Sequence, residues 1–126
     1  MSHPLRLDYE VRKVGDVPVL AVSGEIDIYT APVFKQAVVN LVSEGNQNLV
    51  VDLSKVTFMD SSGFGTLLGA TKRLRPTGGG LYLAGANNTI QRMLSLTRLD
   101  TIMQTFPSVD AAVNAISGPG NIAAAA

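Results

Sequence analysis

Apolar and polar positions alternate along the first part of the chain in the pattern of β-strands. Between Leu5 and Val14 the odd-numbered positions are mostly apolar and the even-numbered ones mostly charged, which predicts a strand with one buried face. Gly15 and Asp16 predict a turn, and the more apolar run Val17–Val22 predicts a second strand that pairs with the first as a hairpin. Three further apolar runs predict shorter strands: Leu49–Leu53, Leu81–Ala84 and Thr101–Thr105.

Four other stretches space their apolar residues three or four positions apart, as amphipathic helices do. In the first of them, Thr30 is a candidate N-cap, Pro32 lies in the first turn, and Gly45 ends the helix. The other three helices are predicted after Asp60, from Asn88 to Leu96, and from a cap at Ser108 to Ile116. The spacing predicts that seven side chains of the second and third helices face inward: Phe64, Leu67, Leu68, Leu74, Ile90, Met93 and Leu94.

The predicted order of elements is ββαβαβαβα, which indicates an α/β fold. Helices that alternate with strands from Val17 onward favour a mixed, mainly parallel sheet of about four to five strands flanked by about four helices. The length of 126 residues fits one domain with a substantial core. We assign residues 1–117 to this domain and residues 118–126 to a low-complexity tail that begins at a helix-stopping Gly-Pro pair.

Composition excludes several classes of protein. Ten basic and ten acidic residues give no net charge, whereas a nucleic-acid or membrane-surface binder usually has a basic excess. The chain has no cysteine, so it has no disulfide framework, thiolate metal site or cysteine nucleophile. It shows no signal-peptide pattern and no apolar run long enough to span a membrane. We therefore expect a cytoplasmic protein that binds neither nucleic acid nor membranes.

Candidate chemistry concentrates in the run Phe58–Gly65, between a predicted strand and a predicted helix. This run places the hydroxyls of Ser61 and Ser62 at a helix N-terminus, where free N–H groups and the positive end of the helix dipole favour a phosphate. Phosphorylation there would add a charge of about −1.5 to −2. The alternative is that Asp60 and the two serines only cap the helix, a role worth ~1 kcal/mol.

Catalytic and nucleotide-binding alternatives lack their partner residues. A nucleophilic serine needs a base, and the only histidine is His3, close to the N-terminus. Gly69 is followed by alanine and threonine rather than by the lysine of a phosphate-binding P-loop. Asp52, in a predicted central strand, resembles a receiver-type phospho-acceptor only if Glu25 or Asp27 converges on it to hold magnesium, and this alternative stays open.

Two glycines in the predicted second helix, Gly65 and Gly69, lie one turn apart. Each destabilises a helix by roughly 1 kcal/mol relative to alanine, so their presence needs a reason. Either another chain approaches this face closely, or the helix packs tightly against its own sheet.

Taken together, the motifs resemble those of anti-sigma factor antagonists, which are single-domain members of the STAS superfamily. The matching residues are Gly24–Asp27, Thr30, Leu49–Leu53 and Phe58–Gly65. The similarity continues in order through Gly79, the strand Leu81–Ala84 and the helix with Met93, and so covers all but the two ends of the chain.

This resemblance implies a regulatory protein without catalysis or a cofactor. It implies that Ser61, directly after the aspartate, accepts a phosphate, and that the unphosphorylated form binds an anti-sigma factor and so frees a sigma factor. The anti-sigma factor commonly doubles as the serine kinase, and a metal-dependent serine phosphatase resets the switch. The partner-binding residues that we expect are Asp27, Thr30, Asp60, Ser62, Gly63 and Gly65.

These residues carry more specific expectations. Asp60 is expected to position the Ser61 hydroxyl, Gly63 and Gly65 to keep the surface low, and Ser62 to cap or pack. Asp27 and Ser61 should form one exposed patch at the carboxyl ends of their strands. The alternative function is a STAS scaffold or sensor without kinase control, and a role that binds a small ligand or nucleotide is a weaker version of this alternative.

Overall fold

Five strands form one mixed sheet in the computed structural model, which describes residues 6–117 of the chain. The elements in chain order are β1 (Leu7–Val14), β2 (Val17–Ile26), α1 (Ala31–Ser43), β3 (Asn48–Met59), α2 (Ser61–Leu74), β4 (Gly80–Ala84), α3 (Asn88–Leu96), β5 (Gln104–Phe106) and α4 (Val109–Ser117). The sheet order is β1-β2-β3-β4-β5, in which only the β1–β2 pair is antiparallel. The predicted fold class and element order are confirmed. Leu5 and the predicted tail at 118–126 lie outside the described residues.

Helices cover the two faces of the sheet unequally. α1, α2 and α3 pack on one face, over a large core that includes Phe34, Leu53 and Leu67. α4 packs on the other face, over a smaller cluster around Val19 and Val50. Because α1 and α2 follow neighbouring parallel strands, both helices begin at the same edge of the sheet, which we call the carboxyl edge.

Strands β2 and β3 run further toward the carboxyl edge than the sequence predicts. Their predicted ends were Val22 and Leu53, whereas pairing continues to Ile26 opposite Met59. The register shifts twice in this extension, and the shifts break the alternation by which a strand is identified. β4 pairs with β3 only as far as Asp52, so the extension is a two-stranded ribbon that carries the loop before α1 and the start of α2.

Several other predictions are wrong in detail. Met93, predicted to face inward, is 39% exposed, because Ile90 and Leu94 make the buried face of the short helix α3. Leu68 is only half-buried. The strand predicted at Thr101–Thr105 begins three residues later, after a 3₁₀ turn at Leu99–Thr101. Ser108 caps α4 as predicted, since its Oγ accepts a hydrogen bond from the backbone N–H of Ala111.

Candidate functional site at the carboxyl edge

The loop before α1 and the start of α2 are joined directly at the carboxyl edge. The backbone N–H of Asp60 donates a hydrogen bond of 3.0 Å to the carbonyl oxygen of Ile26. Residues 27–30 therefore lie beside the first turn of α2, as the sequence predicts. Asp16 lies in the β1–β2 hairpin turn at the other end of β2.

Asp60 is the residue that caps α2. Its backbone is extended, and its Oδ1 accepts a hydrogen bond of 2.8 Å from the backbone N–H of Ser62. Ser61 is exposed, and its hydroxyl makes no hydrogen bond within residues 6–117. The helix thus needs neither serine hydroxyl as its cap, and the Ser61 side chain stands free at the helix N-terminus.

Ser62 differs from its neighbour in environment. Its side chain is half-buried, and it lines a groove between α1 and α2 rather than the outer surface of the first turn. The sequence predicts that Ser62 either caps or packs. The carboxylate of Asp60 takes the capping role, and the half-buried position of Ser62 agrees with packing.

The two glycines of the motif have different structural causes. Gly63 is buried, and a Cβ there would overlap Cγ of Met59 and come within 2.9 Å of Cγ2 of Ile26. Close packing of α2 on the strand ends therefore requires this glycine, and the prediction that it keeps an outer surface low is wrong. Gly65 is exposed, and a Cβ there would have no atom within 4 Å. No intramolecular contact of the described chain accounts for Gly65.

Asp27 and Thr30 fasten the loop before α1 by reciprocal hydrogen bonds. Asp27 Oδ1 accepts from the backbone N–H groups of Tyr29, at 2.9 Å, and Thr30, at 3.0 Å. The Thr30 hydroxyl accepts from the N–H of Asp27, at 2.9 Å, and donates to the carbonyl oxygen of Glu25, at 2.8 Å. Thr30 occupies the N-cap position of α1 as predicted, but its side chain makes no capping bond and faces the loop instead.

A cation that the sequence did not reveal completes this network. Arg6 Nη2 lies 2.7 Å from Asp27 Oδ2, and Arg6 Nη1 lies 3.2 Å from Glu25 Oε1. The backbone carbonyl oxygen of Arg6 accepts a hydrogen bond from the N–H of Glu25. We call these three residues the Arg6 clasp. The Asp27 side chain is only 12% exposed, so the prediction that Asp27 belongs to an exposed patch with Ser61 is wrong. Its carboxylate stabilises the loop from within.

The electrostatics of Asp27 follow from these contacts. Burial raises the pKa of this carboxyl, but the backbone N–H groups of Thr30 and Tyr29 and the charge of Arg6 lower it by more. The net effect is a pKa below the ordinary aspartate value, so the carboxylate is charged at neutral pH.

Gly24 makes the clasp possible. Its φ is +107°, which disfavours any residue with a side chain, and a Cβ there would overlap the Arg6 carbonyl group. The strand β1 can therefore approach β2 at this point only because position 24 is glycine.

Three large apolar side chains in the segments that adjoin the first turn of α2 are exposed. Ile28 is 68% exposed, Tyr29 is 81% exposed and Phe58 is 49% exposed. Exposed aromatic and aliphatic groups beside a polar site are typical of protein–protein interfaces. Sequence reasoning missed these residues, although two large apolar residues between Asp27 and Thr30 in a short loop were an available signal.

A groove of about 610 Å³ lies between α1 and α2 and opens beside this edge. We call it the α1–α2 groove. Gly65 and Gly69 line it, and neither has an atom within 4 Å of its would-be Cβ. Tight packing on the protein's own sheet therefore does not explain these two glycines. The close approach of another chain stays a prediction.

The described residues offer no centre for metal-dependent or receiver-type chemistry. Within 6–117, no three His, Cys, Asp or Glu side chains are grouped so that they could hold a metal ion. Asp52 pairs opposite Ala21 and Ala84, and its carboxylate accepts from the N–H of Ser54 instead of meeting Glu25 or Asp27. Over the same range, no helix has the length and apolarity to cross a bilayer.

Comparisons with known proteins agree on one family. The STAS domain family matches residues 8–112. An anti-sigma-B factor antagonist of Staphylococcus epidermidis is 32% identical over 99 residues, which is 79% of this chain and 92% of that protein. An anti-sigma factor antagonist from Mycobacterium paratuberculosis, known from a crystal structure, is 33% identical, with a TM-score of 0.83 over 91% of this chain and 97% of the other.

A third comparison concerns the fold alone. The anti-sigma factor antagonist SpoIIAA in its unphosphorylated form is 19% identical, with a TM-score of 0.74 over 86% of this chain and 96% of that one. The family match begins at the second residue of β1 and spans the rest of the sheet, the loop before α1 and the whole of α2. The two relatives named above that are more than 30% identical to this chain are anti-sigma factor antagonists. The chain belongs to the STAS domain family.

Proposed function

We propose that this protein is an anti-sigma factor antagonist that phosphorylation of Ser61 switches off. The observation that carries the proposal is the state of Ser61, which is exposed at the first position of α2 and has no hydrogen bond to its hydroxyl in the described chain. Asp60 already caps the helix, so modification of Ser61 removes no contact on which the fold depends.

A phosphate at Ser61 should leave the domain folded. The N-terminus of a helix favours an anion through its free N–H groups and its dipole. The neighbouring carboxylate of Asp60 repels the phosphate, but at an exposed position water and salt screen much of this repulsion. Control must therefore act at the interface with a partner.

The partner that fits is an anti-sigma factor that also acts as the serine kinase. Tyr29 and Ile28 would supply the apolar part of the contact, beside the hydroxyl of Ser61. Burial of a phosphate dianion against a surface shaped for a hydroxyl would weaken binding by about 3–5 kcal/mol, or about 10²–10⁴-fold. This loss is large enough to release the partner.

The phosphorylated form would be returned to the active form in the same compartment. A metal-dependent serine phosphatase would remove the phosphate, and the protein itself would bind and release partners in the cytoplasm without catalysis, cofactor, nucleic acid or membrane. The similar proteins named above are regulators, which supports a regulatory role for this chain.

The decisive experiment labels the protein with ATP and an anti-sigma kinase of its host, followed by mass spectrometry. We expect a stable phosphate on Ser61 in the wild type and in Ser62→Ala, and none in Ser61→Ala. Ser61→Ala should still bind the anti-sigma factor and so act as a constitutive antagonist. Labelling that survives Ser61→Ala and disappears in Ser62→Ala would move the acceptor to Ser62.

The α1–α2 groove favours a second candidate function, a STAS sensor module that binds a small ligand without kinase control. The same labelling experiment separates the two candidates. Absence of phosphate under every kinase tested, together with ligand-dependent binding of a partner, would favour the sensor.

A further inference from the structure

We propose that the α1–α2 groove binds a free medium-chain carboxylate, a single alkyl chain with one anionic head. The groove has a volume of about 610 Å³, within the range of small-molecule sites. Its walls are mostly apolar and include Val38, Val39 and Val42 of α1, while Gly65 and Gly69 leave its floor on α2 open.

Charge selects the kind of head group. Among residues 6–117, the groove is lined by two cationic side chains, Lys35 of α1 and Arg73 of α2, and by no acidic one. Neither cation forms an ion pair with another residue in the range 6–117. An apolar channel with unmatched positive charge at its rim is complementary to an amphiphile with a negative head.

The open floor of the groove suits an alkyl chain. α1 and α2 pack against each other on either side of it. An unbranched chain can lie lengthwise over Gly65 and Gly69, where no side chain fills the space.

The ligand has a defined orientation in this proposal. Lys35 is in the early part of α1 and Ser62 is in the first turn of α2, so both lie toward the carboxyl edge, whereas Arg73 is in the last turn of α2. The Ser62 hydroxyl makes no hydrogen bond within residues 6–117. The carboxylate lies at the Lys35 end, and the alkyl chain runs along the valines toward Arg73. A free carboxylate is favoured over a membrane lipid, because the protein as a whole has no net positive charge that would hold it at an anionic membrane surface.

The test is calorimetric titration of the full chain with decanoate below its micelle concentration. We expect saturable one-to-one binding, much weaker binding of butyrate, and amide NMR shifts centred on Gly65 and Gly69. Lys35→Ala should weaken the binding of decanoate by about three- to tenfold and leave the binding of uncharged decanol unchanged. Arg73→Ala should weaken the binding of decanoate by less. The calorimetry and the NMR titration need no kinase or anti-sigma factor, so their results are independent of the proposed function.

Gly69→Leu should abolish decanoate binding because it fills the floor of the groove. Leucine meets no atom at its Cβ there and forms helix better than glycine, so the melting temperature should not fall. Lys72→Leu, an exposed position of α2 outside the groove, is the matched control and should bind normally. Gly65→Leu is a second blocking variant. Absence of saturable binding, or unchanged binding in both glycine variants, would overturn the proposal. So would loss of anti-sigma binding in Gly69→Leu without any binding of decanoate, because the occupant would then be protein.

Discussion

The loop at residues 27–30 and the first turn of α2 lie side by side at the carboxyl edge, yet their polar groups are held in opposite ways. Both carboxylate oxygens of Asp27 are engaged, by two backbone N–H groups and by Arg6. The hydroxyl of Ser61 has no such partner in the described chain. One region is a fixed frame, and the other presents a group that can be changed chemically without disturbing the frame.

The difference shows where mutations in such a site should act. A change in the frame should alter stability first and partner binding as a consequence. A change at Ser61 should alter partner binding and leave stability nearly constant. The free energy of unfolding and the affinity for the partner distinguish the two kinds of change.

The largest effect is expected from Gly24→Ala, which removes the close approach on which the Arg6 clasp depends. The positive φ and the overlap of a Cβ with the Arg6 carbonyl group should together lower the free energy of unfolding by at least about 3 kcal/mol. Urea unfolding of the variant measures this loss.

Gly15→Ala is the matched control. Gly15 also has a positive φ, +62°, but no atom lies within 4 Å of its would-be Cβ, so only the backbone strain of about 1–2 kcal/mol applies. Equal losses in the two variants would show that the clasp contributes nothing beyond this strain.

Asp27→Ala should destabilise by about 2–3 kcal/mol, because two backbone N–H groups and Arg6 lose their acceptor. Asp27→Asn should cost about 1 kcal/mol, since its amide oxygen can still accept from the backbone while the ion pair is lost. Thermal unfolding of both variants checks the order. If Asp27→Asn is as damaging as Asp27→Ala, the ion pair rather than the loop hydrogen bonding dominates.

The same carboxylate predicts a pH dependence. The pKa of Asp27 is lower in the folded protein than in the unfolded chain. Its contribution to stability is therefore present above the unfolded aspartate value, about pH 4, and is lost as the pH falls through the folded value. Unfolding measured from pH 6 downward should show a smaller loss below about pH 4 in Asp27→Asn than in the wild type. An equal loss of stability below about pH 4 in both proteins would contradict a lowered pKa for Asp27.

The smallest effect on stability is expected from Ser61→Asp, within about 0.5 kcal/mol, because the side chain is exposed and a negative charge suits a helix N-terminus. The circular dichroism spectrum should be unchanged, whereas binding to the anti-sigma factor should weaken. Asp16→Lys, in the opposite hairpin turn, should change neither property. If Ser61→Asp unfolds the protein, the stability of the domain depends on Ser61 as well as on the loop at residues 27–30, and the contrast between the two regions is wrong.

Local sequence patterns made the position of Ser61 in the site predictable. The position of Ser61 at the start of α2 followed from an acidic residue, two hydroxyls and a glycine between an apolar strand and an amphipathic helix. Such features depend on neighbours within a few residues. The order of strands and helices was predictable for the same reason.

The contacts that fasten Asp27 and Gly63 were not predictable, because they join residues that are distant in sequence. Arg6 and Asp27 are far apart in sequence, and only the pairing of β1 with β2 brings them together. Glycine is needed at position 63 because a Cβ there would meet two side chains from different strands, those of Ile26 and Met59. The register shifts that lengthen β2 and β3 likewise leave no periodic signal.

Gly24 and Arg6 have a practical consequence for anyone who handles this protein. Arg6 contacts the loop through its side chain and its backbone, one residue before β1 begins. A purification tag or a shortened N-terminus that displaces Arg6 would loosen the loop that carries Tyr29, more than twenty residues away. Partner affinities measured on tagged and untagged protein should therefore be compared before any residue of the loop is credited with specificity.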